Sequence, residues 1–106
     1  MRKLNFSKKY KKKIQEGLKR QTIRLNTSLK EGDVVEIVSG GEVIGIARIT
    51  KVEKKMLGDL TDEDAKKDGF ENVTQLFKAL RKHYGKISNK KGVCIIGFEM
   101  EVKEEH

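Results

Sequence analysis

The segment Gly17-Leu18-Lys19-Arg20-Gln21-Thr22-Ile23-Arg24 places an amine, a hydroxyl and a guanidinium within six residues, Lys19 to Arg24. A threonine hydroxyl becomes a nucleophile only when an adjacent base takes its proton. A lysine serves as that base only where burial or positive neighbours depress its pKa. Arg20 and Arg24 are such neighbours in sequence. The trio also suits anion binding, because Arg24 shares a strand face with Thr22 and a planar guanidinium grips a phosphate or base edge with two parallel bonds. In a regular strand Lys19 and Thr22 point to opposite faces, since their separation is odd. Catalysis by the pair therefore requires a bend near Arg20-Gln21. The plainer reading makes Thr22 a β-favouring strand residue and Lys19 a phosphate contact.

This segment closes a strongly basic stretch. Residues 1–24 carry ten Lys and Arg side chains against one acid, Glu16, whereas the whole 106-residue chain is only +8. Charge concentrated in this way attracts polyanions and steers them toward one surface. Lys11, Lys12 and Lys13, with Arg20, are the candidates for contacts to an RNA backbone. Such contacts bring salt-dependent affinity and little sequence selectivity. A basic face can also merely solvate a helix, although a solubilising surface normally interleaves both signs.

Composition narrows the remaining classes. The length suits one domain, residues 1–106, with a core that needs no staples. No run approaches the ~20 apolar residues of a membrane span, and the start Met1-Arg2-Lys3-Leu4 leads no apolar stretch of a signal peptide. One cysteine, Cys94, excludes an internal disulfide and fits a reducing, cytoplasmic setting. The high charged fraction with few Asn, Gln and Cys leans toward a thermophilic source. No Cys, His and carboxylate cluster has metal-ligand spacing. Gly40-Gly41 precedes no helix and so is not a phosphate loop. Neither a metal nor a cofactor is expected, and a monomer is the expected state.

The elements that position these residues are read from periodicity, because proline is absent. Leu4-Asn5-Phe6 reads as a short strand. Ser7 is the expected cap of a basic helix from Lys8 to Glu16, whose apolar line is Tyr10 and Ile14; Gly17 stops it. Thr22–Leu25 reads as a strand, Val34–Val38 and Val43–Val52 as a hairpin turning at Ser39-Gly40-Gly41. Thr61 to Asp64 has the capping-box pattern for a short helix to about Lys67. Asn72 starts another, with Val73, Leu76, Phe77, Leu80 and Tyr84 on one face and Gly85 at its end. Cys94, Ile96, Phe98, Met100 and Val102 share one face of a last strand, Val93 to Val102. The order is β-α-β-β-β-α-α-β. The strands lie too close in sequence for a parallel βαβ sheet, which predicts an α+β, mostly antiparallel, barrel-like sheet with helices against it.

Several of these pieces occur in one order. Gly17-x-Lys19-x-x-Thr22-Ile23-Arg24, Gly32-Asp33, Gly45-x-Ala47-x-Ile49-x-x-Val52, Leu60-Thr61-x-Glu63-x-Ala65-x-x-Asp68-Gly69-Phe70, Tyr84-Gly85 and Ile96-x-Phe98-Glu99 follow it along nearly the whole chain. The ordered set resembles the ASCH domain. That resemblance implies a PUA-like β-barrel flanked by about three helices, with a cleft implicated in RNA or nucleotide recognition. One ASCH branch of similar size hydrolyses the acetyl amide of N4-acetylcytidine with a Lys, a Thr three residues later and a Glu beyond the helix alanine. Carried over, these fall on Lys19, Thr22 and Asp68, with an aspartate where that branch has glutamate.

The expected function is thus RNA or nucleoside binding in a basic cleft, with Arg24 as a ligand contact and Tyr84 as a cleft-lining candidate. The alternative is an amidohydrolase with Thr22 as nucleophile, Lys19 as its base and Asp68 orienting the lysine or shuttling a proton. A ribonuclease ranks third, because the sequence offers no paired carboxylates for that chemistry. His83 has no assigned role, and Cys94 is expected to be a buried small hydrophobe.

Overall fold

The computed structural model describes residues 1–101. Among them, strands β1 (Lys3–Phe6), β2 (Gln21–Arg24), β3 (Val34–Ser39), β4 (Glu42–Met56) and β5 (Gly92–Met100) form a sheet in the order β1-β3-β4-β5-β2. Only the β1–β3 pair is parallel; β3–β4, β4–β5 and β2–β5 are antiparallel. Helices α1 (Lys11–Gln15), α2 (Asp62–Lys67) and α3 (Val73–Tyr84) complete the α+β architecture. No helix among the described residues is long and apolar enough to cross a membrane. Val102, assigned to the last strand from its alternation, lies outside the described residues.

The sheet curls because β4 is long and interrupted. It pairs with β3 along one edge and β5 along the other, with register shifts at Ile37/Val38 and at Ile49/Lys51. Each extra residue adds local twist and bends the strand. The result is a half-barrel whose edge strands, β1 and β2, are joined by side chains. The Arg24 guanidinium on β2 donates to the Asn5 carbonyl on β1.

Strand β5 departs from the one-faced pattern. Ile96 and Phe98 belong to a core inside the half-barrel with Ile37 and Ile49. Val93 and Ile95 face the other way, into a second core with Leu76 and Leu80 of α3 and Ala65 of α2. The run Val93-Cys94-Ile95-Ile96 is apolar throughout because helices cover the face that alternation alone leaves to solvent. Cys94 is buried there, as expected.

The helix ends follow their sequence signals, except one. Thr61 and Asp64 make the reciprocal capping box of α2, and Asn72 accepts from the Gln75 N–H at the start of α3. Ser7, expected to cap the basic helix, makes no side-chain cap. Its carbonyl instead accepts from the Tyr10 N–H and the Ser39 hydroxyl, both at 3.0 Å. This tie to β3 winds Lys8–Tyr10 as a 3₁₀ turn and confines the α-helix proper to Lys11–Gln15.

The two-sided burial of β5 has a direct test. Ile95→Ala and Ile96→Ala remove methyl groups from different cores, each side chain being wholly buried. Each substitution is expected to lower unfolding free energy by about 2–5 kcal/mol in urea titrations. A near-neutral Ile95→Ala would mean that β5 has one solvated face.

Candidate functional site

The chain leaves α1 by a tight reversal. Gly17 adopts φ +76°, in the left-handed region that glycine tolerates best, and the Lys13 carbonyl accepts from both the Leu18 and Lys19 N–H groups at 2.9 and 3.1 Å. Strand β2 begins only at Gln21. The chain therefore reverses at Gly17, ahead of Arg20-Gln21, and Lys19 and Thr22 line one cavity of about 470 Å3 between β1, β2, α3 and the end of α2.

Lys19 lies at the floor of that cavity, only 4% exposed. Its Nζ donates to the Asp68 side-chain Oδ1 and to the Asp68 carbonyl, the latter at 3.0 Å. The ammonium also stands over the rings of Tyr10 at 4.6 Å and of Phe6 and Phe70 at 5.7 Å. Asp68, at the C-terminal cap of α2, is 3% exposed. The aspartate thus reaches the lysine despite being one methylene shorter than the glutamate of the acetylcytidine branch. Gly69 makes this approach possible. Its φ is +89°, and a Cβ there would lie 3.3 Å from Lys13 Cδ and 3.4 Å from Lys19 Cβ.

Burial sets the electrostatics. Desolvation pushes the Asp68 carboxyl up to about 6 against the pull of Lys19, and it lowers the Lys19 amine against the pull of Asp68. Both partners move toward neutrality. Desolvation, with Asp68 nearby, also raises the Tyr10 phenol.

Thr22 is buried, and its Oγ1 accepts from Arg24 Nε at 3.4 Å. The Arg24 guanidinium packs over Phe6 at 5.2 Å. No hydrogen bond joins Lys19 to Thr22 in this structure; the amine is engaged by Asp68. Tyr84 lines the opposite wall, with the His83 ring edge-on to it at 4.9 Å.

The structure thus brings together Lys19, Thr22, Arg24, Asp68 and Tyr84; Lys13 stands at the edge of this group, its amine 5.6 Å from the Phe70 ring, while Arg20, Lys11 and Lys12 lie away from it. Arg20 turns away to a different cavity. Lys11 pairs with Glu42 at 3.1 Å, Lys12 with Glu16 at 3.9 Å, and Lys13 Nζ donates to the Gly69 carbonyl at 2.7 Å. Phe6, Phe70 and His83 join the cavity without having been singled out. Phe70 lay within the Asp68-Gly69-Phe70 motif, but nothing in its spacing marks it as a cavity wall. Among the described residues, no three His, Cys, Asp or Glu side chains are grouped to hold a metal ion.

The buried pair makes a stability prediction. Removing one partner, as in Lys19→Met, strands the other and is expected to cost about 3–5 kcal/mol, whereas Lys19→Met with Asp68→Leu is expected to be neutral or stabilising. The pH dependence has a definite sign. The Asp68 folded pKa lies above its ordinary 3.8, so its contribution is full below pH 3.8 and is lost as pH rises through about 6. Wild-type stability relative to Asp68→Asn is therefore expected to fall across that window in urea titrations. A rise would contradict the raised carboxyl.

A family model described as the ASCH domain matches residues 2–102. The fold is similar to the solved ASCH domain from Lactobacillus crispatus JV V101, with a TM-score of 0.78 at 16% identity over 91% of this chain and 79% of that one. It is also similar to a protein from Enterococcus faecalis V583, with a TM-score of 0.68 at 15% identity over 100% of this chain and 87% of that one. No curated protein sequence matches the chain. Identities this low speak for the fold, while the family model spans nearly every residue: the chain belongs to the ASCH domain family.

Proposed function

We propose that the cavity binds the base and ribose of a nucleoside, free or within RNA. The observation that carries this reading is the lining. Aromatic rings of Phe6, Tyr10, Phe70 and Tyr84 surround a polar floor of Lys19, Asp68, Thr22 and Arg24 in about 470 Å3. Single nucleobases are held by ring faces together with a few donors and acceptors for their edges. The volume falls within the roughly 300–1,000 Å3 usual for small-molecule sites. The basic N-terminal stretch supports a polyanionic source for that nucleoside.

A second reading, hydrolysis of an N4-acylated cytidine, is favoured by one specific observation. A lysine that only binds phosphate gains from being charged and exposed, whereas Lys19 is buried with its pKa lowered. Lowered lysines in clefts serve as bases. In this reading the neutral Lys19 amine turns from Asp68 to Thr22 and takes the hydroxyl proton as Thr22 Oγ attacks the acyl carbon. The Arg24 Nε–H already pointed at Oγ1 favours the developing alkoxide. The C–N4 bond then breaks, and N4 leaves with the proton returned by Lys19. Water hydrolyses the threonyl ester, releasing the acid and restoring the hydroxyl. Asp68 returns Lys19 to its resting position.

The test is incubation with N4-acetylcytidine, following cytidine release, with cytidine binding measured separately. Release by the wild type is expected to fall by about 10²–10⁴-fold in Lys19→Met and Thr22→Ala, with Thr22→Ala still binding cytidine. The wild-type rate is expected to rise with pH as Lys19 loses its proton, with a midpoint below the ordinary 10.5. Cytidine binding without release would remove the hydrolase and leave the binding site; neither binding nor release would remove both.

A further inference from the structure

A second cavity of about 530 Å3 adjoins the first at Lys19, which lines both. Its wall is the Gly17–Gln21 reversal on one side and the middle of β4 and β5 on the other. Besides Lys19, three cations line it, Arg20, Lys51 and Lys67, with a single acid, Glu99. Arg20 makes no side-chain hydrogen bond or ion pair among the described residues. Lys51 and Lys67 hold only surface pairs, to Glu53 at 3.6 Å and Glu63 at 3.4 Å; such pairs are weak and screened by salt.

The cavity is built by backbone devices. The Arg20 N–H donates to the Lys67 carbonyl at 2.9 Å, and the Arg20 carbonyl accepts from the Phe98 N–H at 3.0 Å. These bonds tie the Arg20 main chain to α2 and β5. The register shift between Ile49 and Lys51 leaves Thr50 unpaired and aligns Lys51 with Gly97. A bulge of this kind re-aims the following side chain. Gly97 supplies the room, since a Cβ there would stand 2.9 Å from Thr50 Oγ1 and 3.3 Å from Lys51 Cβ.

We infer that this second cavity takes a backbone phosphate of an RNA strand, one nucleoside of which occupies the aromatic cavity. The inference rests on the nucleoside reading above and deepens it: the ligand is a polynucleotide rather than a free nucleoside. A guanidinium and two ammonium groups around a pocket with one acid complement a phosphodiester, and contacts of this type position a strand without reading its sequence. The shared Lys19 wall makes the two cavities neighbouring stations for one chain.

The experiment compares the wild type with the triple variant Arg20→Ala, Lys51→Ala, Lys67→Ala and with a control, Lys30→Ala, Lys54→Ala, Lys78→Ala. Both variants remove the same charge, but the control residues line neither cavity. The probe is fluorescein-labelled single-stranded hexacytidylate, titrated across a salt series. Cytidine affinity is measured in parallel, and thermal unfolding checks the fold. In the cavity variant, hexamer affinity is expected to fall at least tenfold at low salt. Its log affinity against log salt slope is expected to flatten by about 2, three contacts at about 0.7 each. The control keeps a slope near the wild type, and cytidine binding is unchanged in both. Equal slopes for the two triple variants would overturn the inference, since diffuse charge alone would then account for binding. Full displacement of the hexamer by inorganic phosphate at matched ionic strength would also overturn it, marking a free-phosphate site instead. Loss of cytidine binding in the wild type strikes the nucleoside reading, while the slope comparison still judges this one.

Discussion

The removal of one lysine amine from water, against one carboxylate, constrains the rest of the site. Burying Lys19 and Asp68 together is unfavourable for both charges, and an apolar pair of the same shape would often serve stability as well or better. The surrounding chain is arranged to tolerate the pair. Gly17 reverses the backbone so that Lys19 points inward rather than along β2. Gly69 leaves space beside the lysine stem, and the Asp68 carbonyl gives the ammonium a second acceptor. The faces of Tyr10, Phe6 and Phe70 replace part of the lost hydration with their quadrupoles. The pair lies at a cavity floor beside Thr22 and Arg24.

The half-barrel supplies the opening into which this floor faces. Because β1 and β2 are the two edges of the sheet, their junction is made by Arg24 rather than by a ladder of backbone bonds. One side chain therefore ties the seam, touches Phe6 and donates to Thr22. Strand β5, covered on both faces, anchors β2 and holds Thr22 opposite Ile96. The two-sided core thus lies directly beneath Thr22 and Arg24.

Much of this was legible in the sequence. Thr61-x-x-Asp64 and Asn72-x-x-Gln75 announce α2 and α3 because capping is local chemistry, and Gly40-Gly41 announces the hairpin for the same reason. The mostly antiparallel, barrel-like sheet followed from the order and close spacing of the elements, and the ASCH assignment from the order of motifs. What stayed hidden depends on tertiary placement. Ser7 has the type of a cap, but its carbonyl is claimed by β3. Val93 and Ile95 read as part of an apolar run whose second partner is a helix remote in sequence. The Lys19 and Thr22 spacing requires a bend near Arg20-Gln21, whereas the chain reverses earlier, at Gly17, where the Lys13 and Lys67 carbonyls accept from Leu18, Lys19 and Arg20. Lys11, Lys12 and Lys13 look like one basic patch in sequence, yet two of their amines sit within 3.1 Å of acceptors in the chain itself. That Asp68, rather than a longer glutamate, reaches Lys19 is a fact of geometry that side-chain length alone leaves open.

The most direct test of the buried pair is an NMR titration of the Lys19 side-chain resonances together with the Asp68 carboxyl carbon. A midpoint for Lys19 below 10.5, with Asp68 titrating near 6, would match a pair driven toward neutrality by burial. Lys19 titrating at or above 10.5, with Asp68 at or below 3.8, would make the pair an ordinary ion pair and remove the physical basis for a base at this site.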